Sequence, residues 1–407
     1  MVGNANAMVD YSVGQINSLV FKYEYRVSPE NFSRSSDLGF VNTMLLILNL
    51  VKKSAKAELM NFFSQLNADV EVPSRQAFSE AREKISYRAF KDLFDKSCEL
   101  AVLNGNERLY KGYRLFAVDG TSFFVGSMDK LSSYFGTSTC HEGRAMCRIS
   151  AVVDVRNDCI VHAAVAGFET GERALAVSQV KALSNVPHAL YIFDRGYWSP
   201  ELVKGIIQNG QKFLMRLAKS AGKAVVLDDK GEQCSLRRYS FVLPNGEEEI
   251  LLTNLTEDEL ADDELAALYA KRWGAETKYL ELKDRLQIDK FSGCSVNTVL
   301  QDIYATLYFS NLIAFICYEA DVAIKTRNAG KSNKYEQKTN RTTCISTLRQ
   351  RFIKICLMPN PTERDAALRR FFNDVSKDVI YVGKSKPRPR DKRRIKAARM
   401  VGMKCIL

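Results

Sequence analysis

The feature that most constrains the fold of this chain is the succession of segments between residues 114 and 217. Short apolar runs rich in β-branched and aromatic residues alternate there with segments of helical periodicity. The runs at 146–155 and 159–168 are separated by the turn-like sequence Arg156-Asn157-Asp158, which predicts an antiparallel hairpin. The full order is strand 114–119, the two hairpin strands, helix 171–183, strand 189–193, helix 199–207 and strand 211–217. This order predicts a mixed α/β sheet.

Two of the predicted strands end in an aspartate. Asp119 follows the run RLFAV and Asp194 follows ALYIF, and a glycine stands within two residues after each. In open α/β sheets, binding sites form beyond the ends of the strands, which makes both carboxylates candidates for a site. An aspartate in this position caps a turn more often than it binds a metal ion, so neither residue indicates a site by itself.

A third acidic residue lies in the stretch 269–283, where four polar residues recur at helical spacing. Tyr269, Arg272, Glu276 and Lys283 are separated by three, four and seven residues. At about 3.6 residues per turn, this spacing predicts that they share one face of a helix. Taken alone, such a face is more often solvated and held by charge pairs one turn apart. One carboxylate, two cations and a phenol nevertheless suit a metal ion beside a phosphate backbone better than they suit a core.

The three carboxylates of Asp119, Asp194 and Glu276 indicate a metal site when they are considered together. Carboxylates that converge repel one another, and a bound cation removes most of that cost. An all-oxygen ligand set suits Mg²⁺ or Mn²⁺ better than zinc. A pair of such ions activates an attacking water or 3′-hydroxyl and stabilises the leaving oxygen in phosphoryl transfer.

Three motifs together resemble the insertion-sequence DDE transposases that are named for their Y-R-E-K motif. They are Asp119-Gly120-Thr121, Asp194-Arg195-Gly196-Tyr197 and Tyr269-x2-Arg272-x3-Glu276-x6-Lys283. The resemblance covers about residues 30–400. It implies an α/β, RNase H-like catalytic core with a β-rich insertion between the second Asp and the Glu.

The same resemblance implies roles for the motif residues. Asp119, Asp194 and Glu276 would form the catalytic triad that binds Mg²⁺ or Mn²⁺, as two ions. The residues expected to contact the phosphates of the transposon end are Tyr269, Arg272 and Lys283, which suits a phenol donor and two cations. The family's cut-and-paste route runs through a nick, a hairpin, its reopening and strand transfer into target DNA.

The predicted organisation has four parts. Residues 1–110 form a helical N-terminal DNA-binding region, and residues 111–290 form the catalytic core, with a β-rich insertion at 219–256. Residues 291–383 form a helical C-terminal region that opens with a helix from Ser295 and holds a polar, mobile loop at 326–343. Its last helix is capped by Thr362, and a basic, disordered tail occupies 384–407.

The N-terminal region holds a candidate helix-turn-helix. Residues 35–37 are predicted to cap a helix through 40–51, and a further pair of helices follows at 55–66 and 75–85. The second of that pair presents basic side chains that could enter a DNA groove. The residues expected to contact DNA outside the Y-R-E-K string are Arg75, Arg82, Lys84 and Arg195.

The charge of the chain favours a polyanionic partner. It has 59 Lys and Arg residues against 47 Asp and Glu, a net charge of +12, which points to double-stranded DNA. The apolar runs at 40–51 and 303–318 are predicted to be buried helices, and no membrane partner is expected. Scattered cysteines without a CxxC pair and the absence of a secretory signal pattern favour a bacterial cytoplasm, in association with the nucleoid.

These observations predict a transposase that acts as a homodimer on the terminal inverted repeats of its element. Two alternatives stay open. One is an RNase H-like nuclease or resolvase that cuts structured DNA without transposing. The other is a DNA-binding regulator derived from a transposase, although such a protein has no chemical need for three converging carboxylates.

Overall fold

The computed structural model describes residues 3–50, 52–66, 71–105, 108–138, 143–219, 226–227, 230–243, 246–332 and 334–383. The predicted basic tail at 384–407 and the turn predicted between the helices of the helix-turn-helix, at 67–70, lie outside these residues. The chain divides into two compact units. The first comprises Met1–Leu100, Phe124–Leu131 and Leu282–Leu407, and the second comprises Ala101–Phe123 and Ser132–Glu281.

The N-terminal part of the chain is helical, as predicted. Its helices are α1 Asn4–Ile16, α2 Leu19–Tyr25, α3 Phe40–Leu48, α4 Ala55–Gln65, α5 Arg75–Glu83 and α6 Arg88–Leu103. The predicted pair at 55–66 and 75–85 is confirmed as α4 and α5. The Ser54 and Ser74 side chains cap these helices by accepting hydrogen bonds from the amides of Ala57 and Ala77. The predicted cap of α3 is wrong: Gly39 precedes that helix, and Ser36 instead accepts a bond from the Leu38 amide in the turn before it.

The central part of the chain alternates strands and helices. Its strands are β1 Arg114–Gly126, β2 Thr137–Ser138, β3 Arg144–Asp154, β4 Cys159–Gly167, β5 Ala189–Phe193, β6 Lys212–Leu217, β7 Arg237–Val242 and β8 Glu248–Thr253. Its helices are α7 Asp129–Phe135, α8 Glu172–Ala182, α9 Pro200–Gln208, α10 Asp262–Ala270 and α11 Trp273–Leu280. The elements predicted from 114 to 217 are present in the predicted order, including the antiparallel pairing of β3 with β4, but the prediction missed α7 and β2 between β1 and β3.

These strands form one mixed sheet in the order β2-β3-β1-β5-β6-β8-β7, with β4 paired to β3. Strand β5 lies parallel to both β1 and β6, whereas β8 runs antiparallel to β6 and to β7. Every residue of β5 is buried, as is usual for a strand covered on both faces. The β-rich insertion therefore does not form a separate sheet in its described part: β7 and β8 extend the central one.

The remainder of the chain is mainly helical. A π-helix at Glu281–Arg285 is followed by α12 Val296–Arg327, β9 Glu336–Thr339, α13 Arg341–Cys356, α14 Pro361–Lys377 and β10 Val379–Val382. Helix α12 starts at a capping box formed by Ser295 and Thr298, which confirms the predicted start. It is long and apolar enough to cross a membrane, but 78% of its apolar window is buried inside the protein.

Two expectations for the C-terminal region are wrong. The predicted loop at 326–343 is partly ordered, because Glu336–Thr339 pairs with Val379–Val382 in an antiparallel ribbon. The partner strand lies about forty residues away, so local sequence gives no sign of the pairing. The cap of α14 is Asn360, whose side chain accepts a hydrogen bond from the Thr362 amide, and Pro361 occupies the first helical position.

Candidate active site

The two aspartates follow neighbouring parallel strands in the second unit. The pairing of β1 with β5 runs from Arg114 opposite Ala189 to Ala117 opposite Ile192. Asp119 and Asp194 thus each lie two residues beyond the last paired position of their strands. Strand β1 continues past Asp119 to Gly126, so the aspartate stands where the parallel pairing stops and not at the end of the strand. The register therefore places both carboxylates at the same end of the paired strands β1 and β5.

Each carboxylate also accepts a hydrogen bond from the amide of the next residue. The Gly120 amide donates to Asp119 Oδ1 at 2.9 Å, and the Arg195 amide donates to Asp194 Oδ1 at 2.7 Å. Asp194 thereby precedes a 3-10 turn at Arg195–Tyr197. Each carboxylate keeps its second oxygen for another partner, so this hydrogen bond and a ligand role are compatible.

The stretch at 269–283 is not one helix. Helix α10 ends at Ala270, α11 starts at Trp273, and the amides of Lys271 and Arg272 bond three residues back, to Leu268 and Tyr269. The predicted continuous face is therefore wrong. Lys283 is half-buried in the π-helix that follows α11 and belongs to the first unit.

The break leaves Tyr269 and Arg272 in contact with the acids. The Tyr269 hydroxyl donates to Asp194 Oδ1 at 3.2 Å, and Arg272 Nη2 lies 2.5 Å from Glu276 Oε1. The Arg272 guanidinium also lies 5.9 Å from the centre of the Tyr269 ring. Two side chains predicted to bind phosphate thus bind two of the three predicted metal ligands in this structure.

Tyr279 was missed by the sequence reasoning as a site residue. Its hydroxyl donates to the backbone carbonyl of Asp119 at 2.8 Å and lies 3.4 Å from the carbonyl of Ile149. The contact attaches α11, which carries Glu276, directly to the residue that carries the first carboxylate. The one available signal was spacing, because Tyr279 is three residues after Glu276 and so falls near it on the helix.

Burial and charge act together on Asp119. Burial raises the pKa of its carboxyl to about 6, and the charges of Glu276 and Glu172 act in the same direction, whereas Gly120 and Arg272 oppose them. Keeping such a carboxylate ionised costs free energy, and a bound cation would remove that cost. Burial, and then the charge of Asp194, also raise the pKa of the Tyr269 phenol well above its ordinary value.

The donor set suits a hard divalent cation, although the side chains are not gathered around one position. Asp119, Asp194 and Glu276 offer carboxylate oxygens, the ligands preferred by Mg²⁺ and Mn²⁺. Within the described residues, no group of three or more His, Cys, Asp or Glu side chains is arranged to hold a metal ion. The hydrogen bond from Tyr269 and the ion pair with Arg272 account for the placement of two of the acids.

The residues predicted to contact DNA outside this cluster divide into two groups. Arg75, Lys84 and Arg195 are exposed. Arg82 is not: it is 1% exposed, and its guanidinium pairs with Asp302 at 3.0 Å. It also donates to Gln301 and to the Thr298 carbonyl. The prediction of a DNA contact is wrong for Arg82, because its side chain points from α5 into the core of the first unit.

Comparison with known proteins identifies related chains. Residues 110–312 match the family described as the Transposase DDE domain. The chain is 24% identical over 159 residues to InsZ of Escherichia coli (strain K12), which is named as a candidate transposase. That match covers 37% of this chain and 52% of InsZ, so it spans about half the length of the relative.

A structural relative extends over more of the chain. The cryo-EM structure of the piggyBac transposase synaptic complex with hairpin DNA aligns with a TM-score of 0.50. The alignment covers 95% of this chain and 88% of that one, at 12% sequence identity. At this identity the likeness concerns the fold alone.

Proposed function

The chain belongs to the transposases that carry a DDE domain, and we propose that it is a transposase that binds the terminal inverted repeats of its own element and cleaves and joins DNA. The observation that carries the proposal is the position of Asp119 and Asp194, two residues past the paired ends of adjacent parallel strands. Glu276 stands on α11, which the Tyr279 hydroxyl fixes to the backbone of Asp119.

An RNase H-like core is part of this proposal. The order β4-β3-β1-β5-β6, with an antiparallel hairpin on one side of β1 and parallel strands on the other, supports it. In such a core the catalytic groups lie beyond the ends of strands that meet at the centre of the sheet. The predicted division of the chain into a helical DNA-binding region, a core and a helical C-terminal region stays a proposal alongside it.

The proposed mechanism assigns Asp119, Asp194 and Glu276 to two divalent cations, Mg²⁺ or Mn²⁺. When bound, the ions would supply an activated hydroxyl nucleophile and neutralise the leaving oxygen, which is the chemistry of two-metal phosphoryl transfer. Asp119 provides a partly desolvated carboxylate, whose attraction to a cation is stronger than that of an exposed one. Tyr279 holds the main chain of Asp119 in register with α11.

Tyr269 and Arg272 have two roles in the proposal. In the structure they orient Asp194 and Glu276. The Tyr269 phenol and the Arg272 guanidinium would also donate to phosphate oxygens, the role that the family resemblance implies for them. Lys283 remains a proposed phosphate contact, as do Arg75, Lys84 and Arg195.

The direct test uses full-length protein, Mg²⁺ or Mn²⁺, and DNA that carries the ends of the element on both sides of this reading frame. Wild-type protein is expected to cleave at the ends and to join them to target DNA, with two copies of the chain in the DNA complex. The variants Asp119→Ala, Asp194→Ala and Glu276→Ala should each abolish cleavage while end binding survives. Glu201→Ala, exposed in the first turn of α9, is the matched control and should cleave like the wild type.

The outcomes separate the proposal from its two alternatives. Nicking that does not depend on the end sequence would favour an RNase H-like nuclease or resolvase. End binding without cleavage in either metal would favour a non-catalytic regulator. Cleavage retained by Glu276→Ala would remove that residue from the triad.

A further inference from the structure

A fourth acidic residue, Glu172, lies among the elements that carry Asp119 and Asp194. It is the first residue of α8, which follows the β3–β4 hairpin. The next residue, Arg173, donates from Nε to the Gly196 carbonyl at 2.8 Å. This bond joins the start of α8, where Glu172 lies, to the turn that follows Asp194.

The Glu172 carboxylate approaches the residue after Asp119. A Cβ atom added at Gly120 would lie 3.0 Å from Glu172 Oε1 and 3.1 Å from its Cδ. A side chain at position 120 would therefore crowd the Glu172 carboxylate. The charge of Glu172 is also one of those that raise the pKa of Asp119.

Arg148 offsets part of this charge without binding it closely. Its Nε lies 3.9 Å from Glu172 Oε1, longer than a hydrogen bond. The same guanidinium donates to the Thr170 carbonyl at 2.6 Å and stands over the Phe168 ring at 4.9 Å, and these contacts fix its position. Glu172 therefore lies next to Gly120, beside a cation whose distance leaves the carboxylate oxygens available to another partner.

An independent observation concerns the Tyr197 side chain. Tyr197 is 3% exposed, and among the described residues its buried hydroxyl has no hydrogen-bond partner. A buried hydroxyl left in this state destabilises the folded protein. Burial, followed by the charges of Glu172, Asp119 and Asp194, raises the pKa of this phenol. A polar ligand held among those carboxylates would give the hydroxyl its partner.

We propose that Glu172 is a fourth carboxylate of the active site and binds a divalent cation together with Asp119, with the Tyr197 hydroxyl facing the same ligand. The inference rests on the proposed two-metal function and extends its ligand set. The competing interpretation is an acidic residue that only stabilises the N-terminus of α8 through the helix dipole. That role would leave metal affinity unchanged.

The experiment measures Mn²⁺ binding to full-length, DNA-free protein by the loss of the free-ion electron paramagnetic resonance signal. Glu172→Gln is expected to weaken Mn²⁺ binding roughly 10- to 100-fold, the effect typical for a residue that tunes a metal site. Glu169→Gln makes the same chemical change three residues earlier, at an exposed position, and should bind Mn²⁺ like the wild type. Asp119→Asn should also lose Mn²⁺ binding, since it removes a ligand of the proposed triad.

Two results would overturn the inference, and they are distinguishable. If Glu172→Gln binds Mn²⁺ as tightly as Glu169→Gln while Asp119→Asn loses it, the triad stands and Glu172 is not a ligand. If wild-type protein shows no saturable Mn²⁺ binding, the two-metal function fails as well.

A second variant guards against misfolding of the first. Glu172→Asp keeps the charge and the start of the helix but shortens the reach of the carboxylate by one methylene. It should retain the wild-type unfolding transition and still weaken Mn²⁺ binding. Unchanged affinity in a folded Glu172→Asp protein would show that only the charge of Glu172 matters, and would equally overturn its role as a ligand.

Discussion

At the scale of single residues, the chain uses its ionisable side chains in two opposite ways. Asp119 is desolvated next to other carboxylates, which leaves its charge poorly compensated. Arg82 is buried more completely but is surrounded by partners, among them Asp302 and Gln301. The first arrangement is typical of a site that awaits a cation, and the second is typical of a core contact. The difference between them lies in the partners, which are distant in sequence.

The Asp119 carboxyl predicts an effect of pH on stability. Its folded pKa of about 6 exceeds the ordinary value of 3.8, so the folded protein binds more protons than the unfolded chain between these values. Wild-type stability is therefore expected to fall as pH rises through that window and to level off above it. Asp119→Asn removes this loss and should raise the free energy of unfolding by about 3 kcal/mol at neutral pH.

Urea denaturation in the presence of a chelator measures this effect. The gain from Asp119→Asn should shrink toward zero as the pH approaches the ordinary pKa of an aspartate, because both side chains are then neutral. A gain that is the same at acidic and neutral pH would mean that ionisation of Asp119 is not its cause.

Arg82 predicts a loss of stability without a specific loss of DNA binding. Arg82→Met leaves Asp302 buried with Lys52 as its other ion-pair partner, at 3.6 Å. Breaking such a pair costs about 3–5 kcal/mol, which denaturant unfolding will detect. Arg75→Met, at the exposed start of α5, should leave stability within about 0.5 kcal/mol of the wild type. If Arg82→Met unfolds like the wild type and loses only DNA affinity, Arg82 contacts DNA and is not a core residue.

At the scale of elements, α11 depends on a close approach to the sheet. Gly274 lies against the end of β3: a Cβ atom at this position would meet the Val155 side chain at 2.8 Å. The Tyr279 hydroxyl, five residues further along α11, contacts the backbone carbonyls of Asp119 and Ile149. Two contacts therefore set how far Glu276 stands from the strand that carries Asp119.

Gly274→Ala tests this packing. Alanine is the better helix former by about 1 kcal/mol, yet the added methyl group must displace Val155 or α11, and overpacking costs about 1–3 kcal/mol. We expect a net loss of stability in thermal unfolding and a lower rate of DNA cleavage, because Glu276 moves with the helix. The matched control is Gly205→Ala in α9, where an added Cβ meets nothing within 4 Å. That variant should be as stable as the wild type or more so, and a stabilised Gly274→Ala protein would contradict the proposed packing.

At the scale of the whole molecule, the net charge of +12 predicts that DNA binding depends strongly on salt. Affinity falls as salt concentration rises, and each phosphate contact adds about 0.9 to the magnitude of the slope of log affinity against log salt concentration. Arg75→Ala and Lys84→Ala should each lower that slope by about one if the exposed side chains of α5 bind phosphate. Fluorescence anisotropy with labelled end DNA over a range of salt concentrations measures the slope. Unchanged slopes in both variants would remove α5 from the DNA-binding surface.

The sequence by itself determined the order of the predicted strands and helices of the core, the β3–β4 hairpin and the position of Asp194 after an apolar strand, whereas Asp119 proved to lie within β1. These features are local, because periodicity, turn residues and caps are encoded within about ten consecutive residues. The family was also recognisable from sequence, since its motif residues are few and strictly spaced.

Only the tertiary structure decided which polar side chains meet. It paired Tyr269 with Asp194, brought Glu172 to Gly120, and placed Arg82 in the core instead of on a DNA-binding face. In each case the partner lies tens to hundreds of residues away, so neither periodicity nor spacing carries information about the contact. The free energy of burying a charge depends on that distant partner. For this reason Arg82, which has buried partners, is a core residue, whereas Asp119, whose charge is poorly compensated, remains available to a cation.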